Sequence, residues 1–159
     1  MPEPNPMVSV AIVMGSPSDQ PVMAECGRYL EFFGIDFRMH ILSAHRTPDE
    51  TATFAKTALE NGIKLIIAAA GMAAHLAGVI AAHTTLPVIG VPLAGSELHG
   101  LDALYSMVQM PSGVPVATMA IGKAGAINAA VFAAEILALN DHGIHEKLLV
   151  FKQQGCKLK

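Results

Sequence analysis

Strand-like and helix-like runs alternate five times along this chain, and that alternation limits the fold more than any other feature. β-Branched and apolar runs at 8–14, 36–42, 64–70, 87–91 and 114–120 read as strands. Helical spacing follows each of them, at 18–33, 47–60, 73–84, 101–109 and 126–139. The pattern predicts an α/β fold, a three-layer doubly wound sandwich around a five-stranded parallel sheet. At 159 residues the chain fits a single domain. Residues 1–7 are expected as a tail, 8–140 as the core and 141–159 as a C-terminal helical arm.

The punctuation between the runs is asymmetric. Each predicted strand ends on its C-terminal side in Gly, Ser, His or Pro. The opposite ends carry ordinary turns, Phe33-Gly34, Asn61-Gly62 and Thr85-Leu86. One edge of the sheet is therefore built for a ligand, the edge that open α/β sheets use. Local signals fill in the elements. Met23, Cys26, Leu30 and Phe33 form an apolar stripe on the first helix. Thr47, Pro48 and Glu50 read as a capping box with proline at the first helical position. Gly71 is expected to break the third strand, and Pro92 with Gly95 to close the fourth. Gly122-Lys123-Ala124-Gly125 lacks the phosphate-loop spacing and reads as a tight helix start. In the tail, Ile144, Leu148, Leu149 and Phe151 recur at helical spacing, as either an arm for a neighbouring subunit or a frayed end.

Apolar residues make up 52% of the chain and charged residues only 14%. The longest uncharged stretch, 65–85, is interrupted by Gly71, His75, Gly78 and His83 and is rich in Ala, unlike a bilayer span. Subunit contacts explain the composition better, so a homo-oligomer is expected. The net charge of −3 gives no nucleic-acid signal. Cys26 falls on a helix stripe and Cys156 lies far away, which favours free thiols. No Cys/His spacing suits a metal. Residues 1–6 show neither a basic region nor an apolar stretch, so no signal peptide is expected and the compartment reads as cytoplasmic.

Two loops at the ligand edge carry the chemistry. In the first, Gly15 would let the backbone turn after strand one, Ser16 and Ser18 offer hydroxyls, and a helix start follows that suits phosphate. The plainer reading of that loop is an N-cap. Asp19 suits a ribose hydroxyl or an amine better than a phosphate, because like charges repel. In the second loop, Ser43-Ala44-His45-Arg46, a histidine able to move protons near neutral pH adjoins a permanent cation suited to an anion. His75, in a stretch that runs from Gly71 through Ala73 and Ala74 to Leu76, either faces the same crevice or bonds a nearby carbonyl. His40 reads as structural. His83, His99, His142 and His145 read as surface or interface residues.

Six segments taken together carry a resemblance. They are Gly-Ser-Pro-Ser-Asp (15–19), Ser-Ala-His-Arg-Thr-Pro (43–48), Ala-Gly-Met-Ala-Ala-His-Leu (70–76), Pro-Val-Ile-Gly-Val-Pro (87–92), Leu-Tyr-Ser-Met-Val-Gln-Met-Pro (104–111) and Ala-Ile-Gly-Lys-Ala-Gly (120–125). In this order, across roughly residues 8 to 150, the chain resembles the PurE family of bacterial 5-(carboxyamino)imidazole ribonucleotide mutases. The resemblance implies a flavodoxin-like sandwich, a homo-octamer and a reaction without cofactor or metal. In that reaction a carboxylate moves from the exocyclic nitrogen of an imidazole ribonucleotide to ring carbon four. It further implies that His45 is the acid/base and that Ser16, Asp19 and Arg46 bind the nucleotide. Ser18, Ser43, Ala44, Gly71, Ala73, Ala74, His75 and Leu76 would line the pocket. The departures are Ala77, Ala103 and Ala117, where the family often has Pro, Ser and Gly. A direct carboxylase using free carbon dioxide and, more remotely, a flavin carrier on the same fold are the alternatives.

Overall fold

The structure, a computed structural model, describes residues 8–158. The expected tail at 1–7 lies outside the described residues. Five strands form one parallel sheet: β1 (Val10–Met14), β2 (Phe37–Ile41), β3 (Leu65–Gly71), β4 (Val88–Leu93) and β5 (Ala117–Thr118). Their order is β2-β1-β3-β4-β5, the flavodoxin-like arrangement. β1 lies between β2 and β3, with Met14 beside Ile41 on one side and Ala69 on the other. The chain first builds outward to β2, then crosses to β3 on the far side. The loops leaving β1 and β3 therefore diverge, and a crevice opens above them.

Helices cover both faces: α1 (Gln20–Phe33), α2 (Pro48–Thr57), α3 (Leu76–His83), α4 (Leu101–Val108), α5 (Lys123–Ala138) and α6 (His142–Gln153). Strand alternation divides the core in two. Val10, Ile12, Met14, Leu65, Ile67 and Ala69 face α1, α5 and α6, and Ala11, Val13, Ile66, Ala68 and Ala70 face α2, α3 and α4. Because both faces are covered, β1 and β4 are buried along their whole length, and β3 as far as Ala70. The predicted stripe on α1 is the buried one, with Cys26 a free thiol pushed up to about 12 by burial. Ala126, Ala129, Ala130, Ala133 and Ala134 let α5 lie close against α1.

Several elements differ from their expected bounds, each for a physical reason. β5 shrinks to two residues, because Pro115 has no N–H to offer a ladder. Irregular backbone continues along β4 beyond it, with Met119 N–H donating to the Gly90 carbonyl and Gly122 N–H to that of Pro92. These bonds show that Pro92 faces the side where β5 has already ended. Its missing N–H breaks no pair there, and β4 runs on to Leu93. Gly71 does not break β3 but is its last residue, paired with Leu93. α3 starts at Leu76 rather than 73, because Met72 takes a left-handed φ of 56° and the His75 N–H then closes a tight turn on the Ala73 carbonyl.

The Thr47 cap and the frayed-end reading of the tail are also corrected. Thr47 does not cap α2 with its side chain. Its hydroxyl is already engaged by Ser43, accepting from the Ser43 N–H at 3.1 Å and donating to the Ser43 carbonyl at 3.1 Å. The expectation of a frayed end gives way to the ordered helix α6, His142–Gln153. Ile144, Leu148 and Phe151 are buried in this chain's own core beside α1 and α5, while Leu149 stays exposed. No helix among the described residues is long and apolar enough to cross a membrane.

Candidate active site

Three loops leave the C-terminal ends of β1, β2 and β3 and enclose a cleft of about 420 Å³, with Gly95 after β4 closing its rim. The β1 loop is organised by its own side chains. Ser16 accepts the Ser18 N–H on its Oγ at 3.3 Å, and Asp19 Oδ2 accepts the Ser16 N–H at 3.1 Å. This is the reciprocal capping pattern, closed around the 3₁₀ turn Pro17–Asp19. The Ser16 and Ser18 hydroxyls lie 2.9 Å apart at the cleft wall. Burial raises the Asp19 carboxyl above its ordinary range, against the Ser16 N–H, which lowers it.

The β2 loop is tied back on Ser43. Besides its two bonds with the Thr47 hydroxyl, the Ser43 carbonyl accepts the Thr47 N–H at 2.9 Å, and the Ser43 Oγ accepts the Arg46 N–H at 3.2 Å. Four bonds on one residue tie down the tip, Ala44-His45-Arg46, in which His45 and Arg46 are exposed. Arg46 makes no ion pair among the described residues, so its guanidinium is available to an incoming anion.

The β3 loop turns at Met72 and ends where α3 begins. The His75 N–H donates to the Ala73 carbonyl, and the His75 carbonyl accepts the Val79 N–H, each at 2.9 Å. The His75 side chain enters the cleft and meets His45, with His45 Nε2 2.8 Å from His75 Nδ1. The rings stand edgewise at 82°. Of the two readings of His75, the crevice is the one the structure adopts. β4 backs the floor, since a Cβ on Gly71 would lie 3.2 Å from the Leu93 carbonyl oxygen. Within one cleft stand hydroxyls, a carboxylate, a guanidinium and two imidazoles. That set can hold a polar anionic molecule and move a proton on it.

Comparison with known proteins decides the family. The chain matches the family model described as AIR carboxylase over residues 9–157. It belongs to the AIR carboxylase family. Curated members of this kind include the N5-carboxyaminoimidazole ribonucleotide mutase of Escherichia coli K12, 54% identical over 139 residues, covering 87% of this chain and 82% of that protein. The protein of the same name from Thermotoga maritima is 53% identical, covering 93% and 85%. Among solved structures, the crystal structure of Treponema denticola PurE superimposes with a TM-score of 0.81 at 31% identity, covering 92% of this chain and 90% of that one.

Within this AIR carboxylase family fold, Ser16, Ser18, Asp19, Ser43, Ala44, His45, Arg46, Gly71, Ala73, His75 and Leu76 all line the cleft. Ala74 does not. It turns inward and is buried with Leu76 and Ala77 under α3. Sequence reasoning left Gly15, Ala70, Met72 and Gly95 out of the lining set. Gly15 and Gly95 were findable, because both follow a strand at the ligand edge. Nothing in the sequence marks the left-handed Met72. The three departures from the family pattern lie outside the cleft. Ala77 and Ala103 are buried on the far core, and Ala117 pairs with Ile89 in β5. His40 packs on Phe54 at 4.8 Å, and burial with the nearby Arg38 holds its pKa low.

Proposed function

We propose that this chain is an N5-carboxyaminoimidazole ribonucleotide mutase acting in purine biosynthesis. One observation carries the reading: the His45–Arg46 cleft belongs to a chain 54% identical to a protein of that name. In the proposed reaction the bond from the exocyclic nitrogen to the carboxylate breaks and carbon dioxide is freed. The electron pair returns to the nitrogen, which takes a proton. Ring carbon four then bonds the carbon dioxide and gives up its own proton. One proton moves from carbon to nitrogen, and no redox change or cofactor is needed. His45 carries that proton. Ser16, Ser18, Asp19 and Arg46 hold the ribonucleotide, and Ser43, Ala44, Gly71, Ala73 and Leu76 shape a wall that retains carbon dioxide. General acid/base action contributes about 10²–10⁴-fold, and orientation within the cleft supplies a larger share.

The reading extends to the assembly and the compartment. An octamer is supported by the apolar composition and by Leu101, Tyr105 and Val108, which are exposed along one face of α4. The cytoplasm follows from the substrate class, because a phosphorylated ribonucleotide does not cross a bilayer unaided. A second reading, direct carboxylation of aminoimidazole ribonucleotide, is favoured by the description of the matched family. Turnover of the N-carboxylated substrate, with and without added bicarbonate, separates the two. Bicarbonate-independent conversion supports the mutase, and an absolute bicarbonate requirement rejects it. His45→Gln is expected to lose at least about 10²-fold in kcat. Full turnover in an intact oligomer would remove His45 from the proton transfer.

A further inference from the structure

The two imidazoles of the cleft come from different loops. The β2 loop carries His45 on a tip tied by four bonds to Ser43, and the β3 loop fixes His75 through its backbone bonds with Ala73 and Val79. Both backbones are tied by hydrogen bonds, and the fold brings His45 Nε2 to 2.8 Å from His75 Nδ1. The edgewise ring geometry suits an N–H of one ring meeting the in-plane lone pair of the other. A line of that length holds one hydrogen and excludes two. The other charged groups on the cleft walls are Asp19, from the β1 loop, and Arg46, beside His45. Neither Asp19 nor Arg46 bonds either imidazole.

This has a chemical consequence. With its Nε2 occupied, neutral His45 can face the cleft only through Nδ1. If His45 donates across the pair, its Nδ1 is bare and acts as a base. If His75 donates, His45 carries its hydrogen on Nδ1 and offers it as an acid. The two roles interconvert at the same atom when His45 Nδ1 takes a proton from the substrate while the shared hydrogen passes from His45 Nε2 to His75 Nδ1, which leaves His75 as the imidazolium; delivering the Nδ1 proton and returning the shared hydrogen restores both neutral rings. A transfer that must give a proton to nitrogen and remove one from carbon needs both roles.

We propose that His75 is a positioning residue for His45. Through the Nε2···Nδ1 bond it holds the His45 ring, presents Nδ1 alone to the substrate, and lets the pair carry one exchangeable proton. The kinetic part of this inference rests on the mutase reading, while the pairing itself does not. The test joins two measurements on the intact oligomer. The first is the ¹⁵N imidazole spectrum of His45 without substrate, in wild type, His75→Phe and His75→Asn. The pair predicts distinct, non-averaged His45 nitrogens in wild type and tautomer averaging in His75→Phe. It predicts partial restoration in His75→Asn, whose amide can still bond Nε2. The second is steady-state kinetics. His75→Phe is expected to lower kcat by about 10- to 100-fold, the scale of a misplaced reacting group, with KM changed less than about 3-fold. His75→Asn should recover part of kcat.

Averaged His45 nitrogens in wild type, or a spectrum unmoved by His75→Phe, would overturn the pairing. An unchanged kcat, or a loss confined to KM, would overturn the positioning role. If the spectra behave as expected while the wild type does not turn over the N-carboxylated ribonucleotide, the pairing stands and the mutase reading fails. Should His75→Phe not fold, the wild-type spectrum and His75→Asn carry the same decision.

Discussion

Phe151 is the residue whose removal most directly tests how the C-terminal helix is held. It is 2% exposed and sits among three aromatic rings of α1, with centroids 5.9 Å from Tyr29, 6.0 Å from Phe32 and 5.3 Å from Phe33. Truncating a buried Phe to Ala costs about 3–5 kcal/mol, lost transfer and residual cavity together. Each well-oriented aromatic pair adds about 0.5–1.5 kcal/mol beyond area. α6 is an outer element that can settle into part of the void, so the middle of the range, about 4 kcal/mol, is the expected loss for Phe151→Ala. A domain of this size has about 5–15 kcal/mol in total. With a urea slope of about 2 kcal/mol/M the midpoint should fall by about 2 M.

The control is Leu149→Ala on the open side of α6, where the side chain is 45% exposed and the cost should stay within about 0.5 kcal/mol. Urea unfolding by circular dichroism gives both numbers, and light scattering gives the oligomeric state. Docking within the chain predicts a large midpoint loss for Phe151→Ala with the assembly unchanged at concentrations where the variant is folded. A loss below about 1 kcal/mol, equal costs at the two positions, or dissociation without loss of monomer stability would refute the reasoning.

Two further predictions concern the ligand edge and the last helix. Asp19→Asn keeps an oxygen for the Ser16 N–H but removes a charge that burial disfavours. The wild-type carboxyl, raised in the fold, contributes stability below its unfolded pKa that is lost as pH rises through the folded one. The variant should therefore melt at or above the wild-type temperature at pH 7, with the gap closing in acid, while KM rises about 10-fold, the cost of one lost hydrogen bond to substrate. A lower melting temperature at pH 7 would contradict the burial argument. Gly125→Ala places a Cβ against the Ala120 carbonyl oxygen, a backbone atom that cannot rotate away. It should cost about 3 kcal/mol, read as a fall in the urea midpoint, whereas Gly95→Ala meets nothing within 4 Å and should be nearly silent.

The sheet and its ligand edge were legible because turn residues and chemistry gather at the same strand ends. What escaped was competition between equally good local signals. The capping pattern occurs twice, at Ser16 with Asp19 and at Thr47 with Glu50. Only the first closes, because Ser43 takes the Thr47 hydroxyl in the second. The run at 114–120 has strand composition but a proline where a donor is required. The helical spacing at 144–151 identified an apolar face but not the surface that covers it. Periodicity describes one partner only, and here the partner is the same chain. Ala74 shows the same limit, since nothing in a small apolar side chain tells whether it points to a cleft or to the core.

Gly15 illustrates how strand order turns a local residue into a condition for chemistry. Its φ is not left-handed, so the bend after β1 did not require glycine for its conformation. β1 stands between β2 and β3, yet His45 leaves β2 and His75 leaves β3, so the two imidazoles must meet across the end of β1. The β1 loop has to stay low for that meeting. It does so with Gly15, whose N–H is held by the Ala69 carbonyl at 3.1 Å, and with the small Ser16 folded back on Asp19. Ala70 on β3 lies beside Gly15, and a Cβ on Gly15 would meet that of Ala70 at 3.6 Å, an ordinary contact, so the floor stays low with small residues rather than with glycine alone. The capping bonds of the β1 loop, the ties on Ser43 and the small residues of the floor thus serve one geometric end, bringing two exposed imidazoles into contact over the central strand.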